Sequence, residues 1–310
     1  MNNIFVDLST LKEDEIKMAC YGVKMFHHKK KNLSIVICGN KENMLTISSL
    51  PGVEIIDTSK KEENKDINSL LSDYLKNHPD IEDSFSFVSF DKKNKVISLA
   101  DKHFFKKKIS PLIVAFYPNA YTGKMTLIGD LGYLQYPSKE DYLSYKNTMK
   151  MISELIKDTE EPEVKLLVPS KLVVSPLMKD VSKAFEEDKN YKGIIGTSEL
   201  LKADCDVLIG DPSIIQATIS GIDQGVSIYD EYLSHGMNTS FQYKFGGFFV
   251  KKLMQSFSSS IDKKLTSGGM LLLGYQYNVV MIRNDTTSNG VKACLDLAYL
   301  ANDKKLASSI

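Results

Sequence analysis

Three aspartates each close a short apolar run: Asp7 after Ile4-Phe5-Val6, Asp130 after Leu127-Ile128-Gly129, and Asp211 after Val207-Leu208-Ile209-Gly210. Runs of this length suit strands buried in a parallel sheet. Ligands in open α/β sheets bind beyond the carboxyl ends of the strands, so acids placed there face any cleft the fold has. Three carboxylates sharing one cleft need counter-charge, which Lys92, Lys93 and Arg283 can supply. The same acids serve equally well as caps, because Asp before Pro212 is an ordinary helix start and strand-end aspartates stabilise turns. Thr286-Thr287-Ser288 has the same two readings, a helix N-terminus open to an anion or a plain N-cap. The sequence leaves site and cap both open.

The elements that must position these residues follow from the periodicity of the chain. Strands are expected at Asn3–Leu8, Leu33–Cys38, Val53–Ile56, Ser84–Phe90, Leu112–Tyr117, Met125–Ile128, Val164–Val168 and Gly193–Ile195. Helical spacing marks Glu13–Lys30, Ile67–Leu75, Ser138–Ile156, Leu177–Phe185 and Ser288–Leu300. The polar stretch Asp91-Lys92-Lys93-Asn94-Lys95 lacks glycine and fits either a hairpin turn or a strand-to-helix loop. Gly268 to Arg283 reads as two strands joined around Gln276. Alternation of strand and helix calls for an α/β fold, a mixed and mainly parallel sheet with helices on both faces. No internal repeat or linker divides residues 1–310, so one α/β unit, in one or two lobes, is expected.

A helical pair over about 214–265 interrupts the alternation. Its second member carries Phe241, Phe245, Phe248, Phe249 and Phe257 among Lys244, Lys251 and Lys252. Such a stripe suits core or dimer packing, and phenylalanines beside lysines also suit a membrane surface. Phe245, Phe248 and Phe249 are the residues expected to make that contact, with a homodimer or with a membrane.

Composition narrows the classes of partner. Of 310 residues, 43% are hydrophobic, enough for a sizeable core, and the formal net charge is zero. Arg283 is the single arginine, which argues against a nucleic-acid protein and leaves lysines and backbone N–H groups for anions. Cys20, Cys38, Cys205 and Cys294 form no C-x-x-C pair, so buried thiols in a reducing cytosol are expected. The five histidines have no ligand spacing with them, and no metal site is expected. The chain opens on no signal-like apolar run and has no membrane-span-length run. No G-x-G-x-x-G follows an early strand, which argues against a dinucleotide cofactor.

Several of these stretches together resemble the bacterial phosphate acyltransferases of phospholipid synthesis. Gly268-Gly269-Met270-Leu271-Leu272-Leu273-Gly274 is similar to the family's Gly-Gly-x-Pro-Leu-Leu-Gly, and Cys205 to Asp211 follows its Ala-Asp-Val-Val-Val-Cys-Asp in order. Ile195-Gly196 with Glu199 resembles its Ile-Gly-Asn-x-Glu, and Leu127 to Gly132 the strand leading into Asp-Val-Gly-Ala-Asn. The resemblance implies an isocitrate/isopropylmalate-dehydrogenase-like fold and transfer of an acyl group from acyl carrier protein to phosphate, with no metal or organic cofactor. It also implies a cytoplasmic homodimer with contact at the inner membrane face. A phosphate and acyl-donor cleft would then hold Asp7, Ser89, Lys92, Lys93, Asp130, Gly132, Asp211, Gly268, Gly269 and Arg283. The departures lie in the polar loops. Asp7-Leu8-Ser9-Thr10-Leu11-Lys12 replaces Asp-Ala-Met-Gly-Gly-Asp, and Ser89 to Lys95 replaces Ser-Ala-Gly-Asn-Thr-Gly-Ala. Backbone N–H groups close on phosphate only where side chains do not intrude, and Asp91 adds a negative charge there. Weak or lost catalysis is the expectation; the alternative is a non-catalytic homologue that binds an acyl donor, a membrane or a partner.

Overall fold

The computed structural model describes residues 2–28, 30, 33–58, 66–119, 122–157, 159–239, 269–282 and 287–310. The strands are β1 (Asn2–Asp7), β2 (Leu33–Gly39), β3 (Val53–Asp57), β4 (Phe85–Ser89), β5 (Leu112–Pro118), β6 (Met125–Gly129), β7 (Val164–Val168), β8 (Tyr191–Gly196), β9 (Val207–Gly210), β10 (Gly269–Leu273) and β11 (Asn278–Ile282). The helices are α1 (Glu13–His27), α2 (Ile67–Asn77), α3 (Lys93–His103), α4 (Lys139–Lys157), α5 (Pro176–Phe185), α6 (Pro212–Thr239), α7 (Ser288–Asp303) and α8 (Leu306–Ser309). The eleven strands among the described residues join one sheet in the order β3-β2-β1-β4-β11-β10-β5-β6-β9-β7-β8.

Alternation along each strand builds two cores. Ile4 and Val6 face α1, α4, α5 and α7, while Phe5 between them faces α2, α3 and α6. Ile35 and Ile37 against Val36 and Cys38, and Val114 against Ile113 and Ala115, repeat the period of two. Helices thus cover both faces, as a sheet buried on both sides requires. All four cysteine thiols are buried and none forms a disulfide. No described helix is long and apolar enough to cross a membrane.

The sheet is mixed in a specific way. β1, β2, β3, β4 and β11 run parallel to one another. β10 lies antiparallel between β11 and β5, and β6 is antiparallel to β5. β9, β7 and β8 follow the direction of β6. β6 and β9 therefore run opposite to β1. This removes the reading in which the three aspartates share one cleft: Asp7 finishes at one end of the strands, Asp130 and Asp211 at the other.

Each half of the sheet has a place where neighbouring strands send the chain to opposite faces. β1 leads to α1 and its neighbour β4 to α3; β6 leads to α4 and its neighbour β9 to α6. Such points leave a crevice beyond the strand ends. The undecided stretch after β4 is a strand-to-helix loop, and α3 begins at Lys93. α6 is the first member of the expected helical pair and runs to Thr239. The expected helix over Phe241–Leu265, with Phe245, Phe248 and Phe249, lies outside the described residues, as do Gly268 and Arg283.

Candidate functional site

β4 ends at Ser89, and the chain turns through Phe90, Asp91 and Lys92 into α3. Lys92 is the N-cap, at φ −58° and ψ 138°, but its side chain makes no capping hydrogen bond. Asp91 acts in its place: its carboxylate accepts the Lys92 N–H at 2.7 Å and the Lys95 Nζ at 3.2 Å, with its side chain 12% exposed. A carboxylate is stabilised there because unpaired N–H groups give a helix start its positive end.

A cavity of about 420 Å3 opens against this turn on the face covered by α3 and α6. Its polar wall is Asp91, Lys92, Lys93, Gln216, Ser220 and Asp223, and its apolar wall is Phe90, Leu131, Ile219, Met270 and Ile282. The floor between α3 and α6 is fastened at one atom. The Leu131 carbonyl accepts from Lys93 Nζ at 3.2 Å and from Gln216 Nε2 at 2.9 Å. Gly132 follows at a φ of 89°, where a Cβ would stand 2.2 Å from Gln216 Nε2 and 2.9 Å from Lys93 Nζ. Only glycine takes this backbone without strain.

The three aspartates are occupied structurally. Asp7 is buried and does not line the cavity; it accepts from Ser9 N at 3.0 Å and Ser9 Oγ at 2.6 Å, and from Ser89 Oγ at 3.3 Å. Burial pushes its carboxyl above the usual carboxylate range against the pull of those bonds. Asp130 is fully buried and accepts from the N–H groups of Ile113, Tyr133 and Leu134; burial raises its carboxyl as well. Asp211 caps α6 through Ser213 N at 2.9 Å and Ile214 N at 3.2 Å.

Of the residues that sequence reasoning placed in a cleft, the structure brings Lys92 and Lys93 to the cavity wall and Gly132 next to its Leu131, while Ser89 and Asp7 bond each other and do not line it. Asp211 stays at the first turn of α6, and Gly269 packs on α7, where a Cβ would meet Leu297 Cδ2 at 3.0 Å. Gln216, Ser220 and Asp223 were missed. Their spacing of four and three residues puts them on one face of α6, a signal available in the sequence. Among the described residues no group of three or more His, Cys, Asp or Glu side chains is placed to hold a metal ion.

No protein-family model matches the chain. A phosphate acyltransferase of Staphylococcus epidermidis is 22% identical over 200 residues, which are 63% of this chain and 61% of that protein. The match thus spans about three fifths of the relative's length. Among solved structures, a branched-chain phosphotransacylase from Enterococcus faecalis V583 superposes with a TM-score of 0.59 at 15% identity, over 99% of both chains. The EutD phosphotransacetylase from Staphylococcus aureus gives 0.52 at 12% identity, over 100% of this chain and 94% of that one. A putative 4-hydroxythreonine-4-phosphate dehydrogenase from Salmonella typhimurium also gives 0.52, at 7% identity and over 97% and 99%. At these identities the structures establish the fold, while the sequence match carries the family likeness. The chain is thus similar over part of its length to a phosphate acyltransferase, and it has the α/β fold seen in phosphotransacylases.

Proposed function

We propose that this chain is a phosphate-acyltransferase-type protein whose anion position is filled from within, so that acyl-phosphate formation from acyl carrier protein and phosphate is weak or lost. One observation carries the reading: the Asp91 carboxylate occupies the start of α3, held by the Lys92 N–H and the Lys95 ammonium. Two further groups that the resemblance assigns to phosphate are also in use, Lys93 on the Leu131 carbonyl and Ser89 on Asp7. Phosphate and oxyanion stabilisation act through preorganised donors, and losing one costs roughly 3 kcal/mol, a hundredfold or more in rate. A second reading, a non-catalytic protein that binds an acyl donor, draws support from the apolar wall of Phe90, Leu131, Ile219, Met270 and Ile282.

The test is acyl-phosphate formation by the purified chain, with acyl carrier protein and phosphate as substrates and an active phosphate acyltransferase as control. Turnover comparable with the control would overturn the proposal. Asp91→Gly should tighten inorganic phosphate binding by roughly tenfold, the worth of one like charge removed from a partly buried anion site. Glycine at Asn94, the other position where the resembling loop has it, adds nothing, because Asn94 lies inside the first turn of α3.

A further inference from the structure

The cavity between α3 and α6 carries charge of both signs. Lys92 and Lys93 line it, and so do Asp91 and Asp223. Lys93 and Asp91 already serve the fold: Lys93 Nζ donates to the Leu131 carbonyl, and Asp91 accepts the Lys92 N–H and the Lys95 ammonium. The Lys92 ammonium has no hydrogen bond or ion pair among the described residues, though it stands on the cavity wall. Gln216 donates through Nε2, which leaves its Oε1 as an acceptor, and Ser220 is exposed on the same wall.

The positions of these groups set a length. Lys93 and Gln216 meet at the Leu131 carbonyl, so the start of α3 stands beside Gln216. Asp223 lies about two turns, roughly 10 Å, further along α6, with Ser220 between. The cavity thus offers an ammonium at one end and a carboxylate at the other. Neutral polar groups join them, and Phe90, Ile219 and Met270 supply apolar surface alongside.

We propose that this cavity binds a short apolar peptide as a zwitterion. The peptide carboxylate pairs with Lys92 and its ammonium with Asp223, its amides pass Gln216 and Ser220, and its side chains cover the apolar wall. An extended chain advances about 3.3–3.6 Å per residue, so about two or three residues span the gap that the lysine and aspartate side chains leave. Other ligands leave a charge unmatched. A phosphate dianion meets Asp91 and does not fill the apolar wall. A fatty acid matches Lys92 but lays its chain along Asp223, and a simple amine leaves Lys92 without an anion. Burying a charge without its partner is costly, and the zwitterion avoids this at both ends. The volume of about 420 Å3 lies within the range of small-molecule sites, roughly 300–1,000 Å3. From the functional reading the assignment takes only that Asp91 keeps phosphate out.

The chain has no tryptophan, so the indole of a leucyl-tryptophan probe can be excited apart from the protein. Its emission should rise and shift to the blue, with half-saturation at roughly ten to a few hundred micromolar chain. N-acetyl-leucyl-tryptophan and leucyl-tryptophan amide each lack one charge and should bind the unaltered chain roughly tenfold more weakly. Lys92→Met should weaken the zwitterion by a similar factor yet leave the amide unaffected, and Asp223→Asn should spare the acetylated form in the same way. Ser220→Phe, a change at an exposed position, should fill the cavity and abolish binding while the far-UV circular dichroism stays unchanged. The proposal is overturned if the probe does not bind, or if both charge-deleted peptides bind as tightly as the zwitterion. It is also overturned if Lys92→Met and Ser220→Phe leave binding unchanged. Displacement of the bound probe by millimolar inorganic phosphate would instead overturn the reading of Asp91 as an internal anion.

Discussion

Gly132 shows how one residue can hold a wall of the cavity. Its φ of 89° excludes a Cβ, and the atoms such a Cβ would strike are the two donors to the Leu131 carbonyl. Gly132→Ala is expected to cost about 1–3 kcal/mol in urea unfolding, from backbone strain together with displacement of Gln216 and Lys93. Gly132→Asn should cost less, since asparagine tolerates positive φ better. Hydrogen exchange at residues 131–133 should quicken in both variants. At this scale the sequence located residues better than it assigned their roles. Asp7, Asp130 and Asp211 do sit where their strands end, but a ligand-facing aspartate and a capping aspartate leave the same trace, an acid after an apolar run. What separates them is the direction of each carboxylate, set by which N–H groups lie within reach. Asp91, a misplaced charge when read against glycine loops, turns out to be the cap that Lys92 cannot provide.

Between elements, an ion cluster anchors α4 to the turn before β8. Asp188 receives Lys150 Nζ at 2.8 Å and Lys146 Nζ at 3.4 Å, with its side chain 14% exposed. Burial works against ionisation, but the Lys150 hydrogen bond, the Asn190 N–H and the two ammonium charges outweigh it and hold the carboxyl down at about 2. A carboxyl whose folded value lies below its ordinary 3.8 adds stability that is complete above that ordinary value and is lost as the pH falls through about 2. Asp188→Asn is therefore expected to lower unfolding free energy at pH 7 by about 1–2 kcal/mol, allowing for solvent screening. The gap between variant and unaltered chain should close towards pH 2, as urea titrations at a series of pH values would show. Helices with long apolar stripes, such as α1 and α4, were legible in the sequence. α3 was not, because its buried side is only Val96, Leu99 and Ala100 and its start offers no capping side chain at the N-cap itself. Tertiary contact with the sheet, rather than local pattern, makes it a helix.

For the whole molecule, alternation of strand and helix was enough to read the layered α/β architecture, but it says nothing of strand direction. One cleft for Asp7, Asp130 and Asp211 was one of two open readings, and it required their three strands to point the same way within the mixed sheet. The antiparallel steps at β10 and β6 reverse half of the sheet, and the cavity forms instead where α3 and α6 approach each other. Among the described strands β10 and β11 come latest in the sequence, yet they lie in the middle of the sheet, between β4 and β5. Until residues 269–282 leave the ribosome, the sheet exists as two pieces, and the facing sides of β4 and β5 present unpaired N–H and C=O groups to any other strand. The sheet is thus closed by residues 269–282, and a nascent chain that has not yet reached them carries two adhesive edges. A chain ended at residue 268 should be recovered mainly as aggregate, its soluble fraction binding hydrophobic dyes that the full chain does not. The remedy should be a segment rather than a stabilising point change: a separate peptide of residues 269–310, supplied during refolding, is expected to restore soluble protein by adding the missing pair of strands together with the helix that covers them.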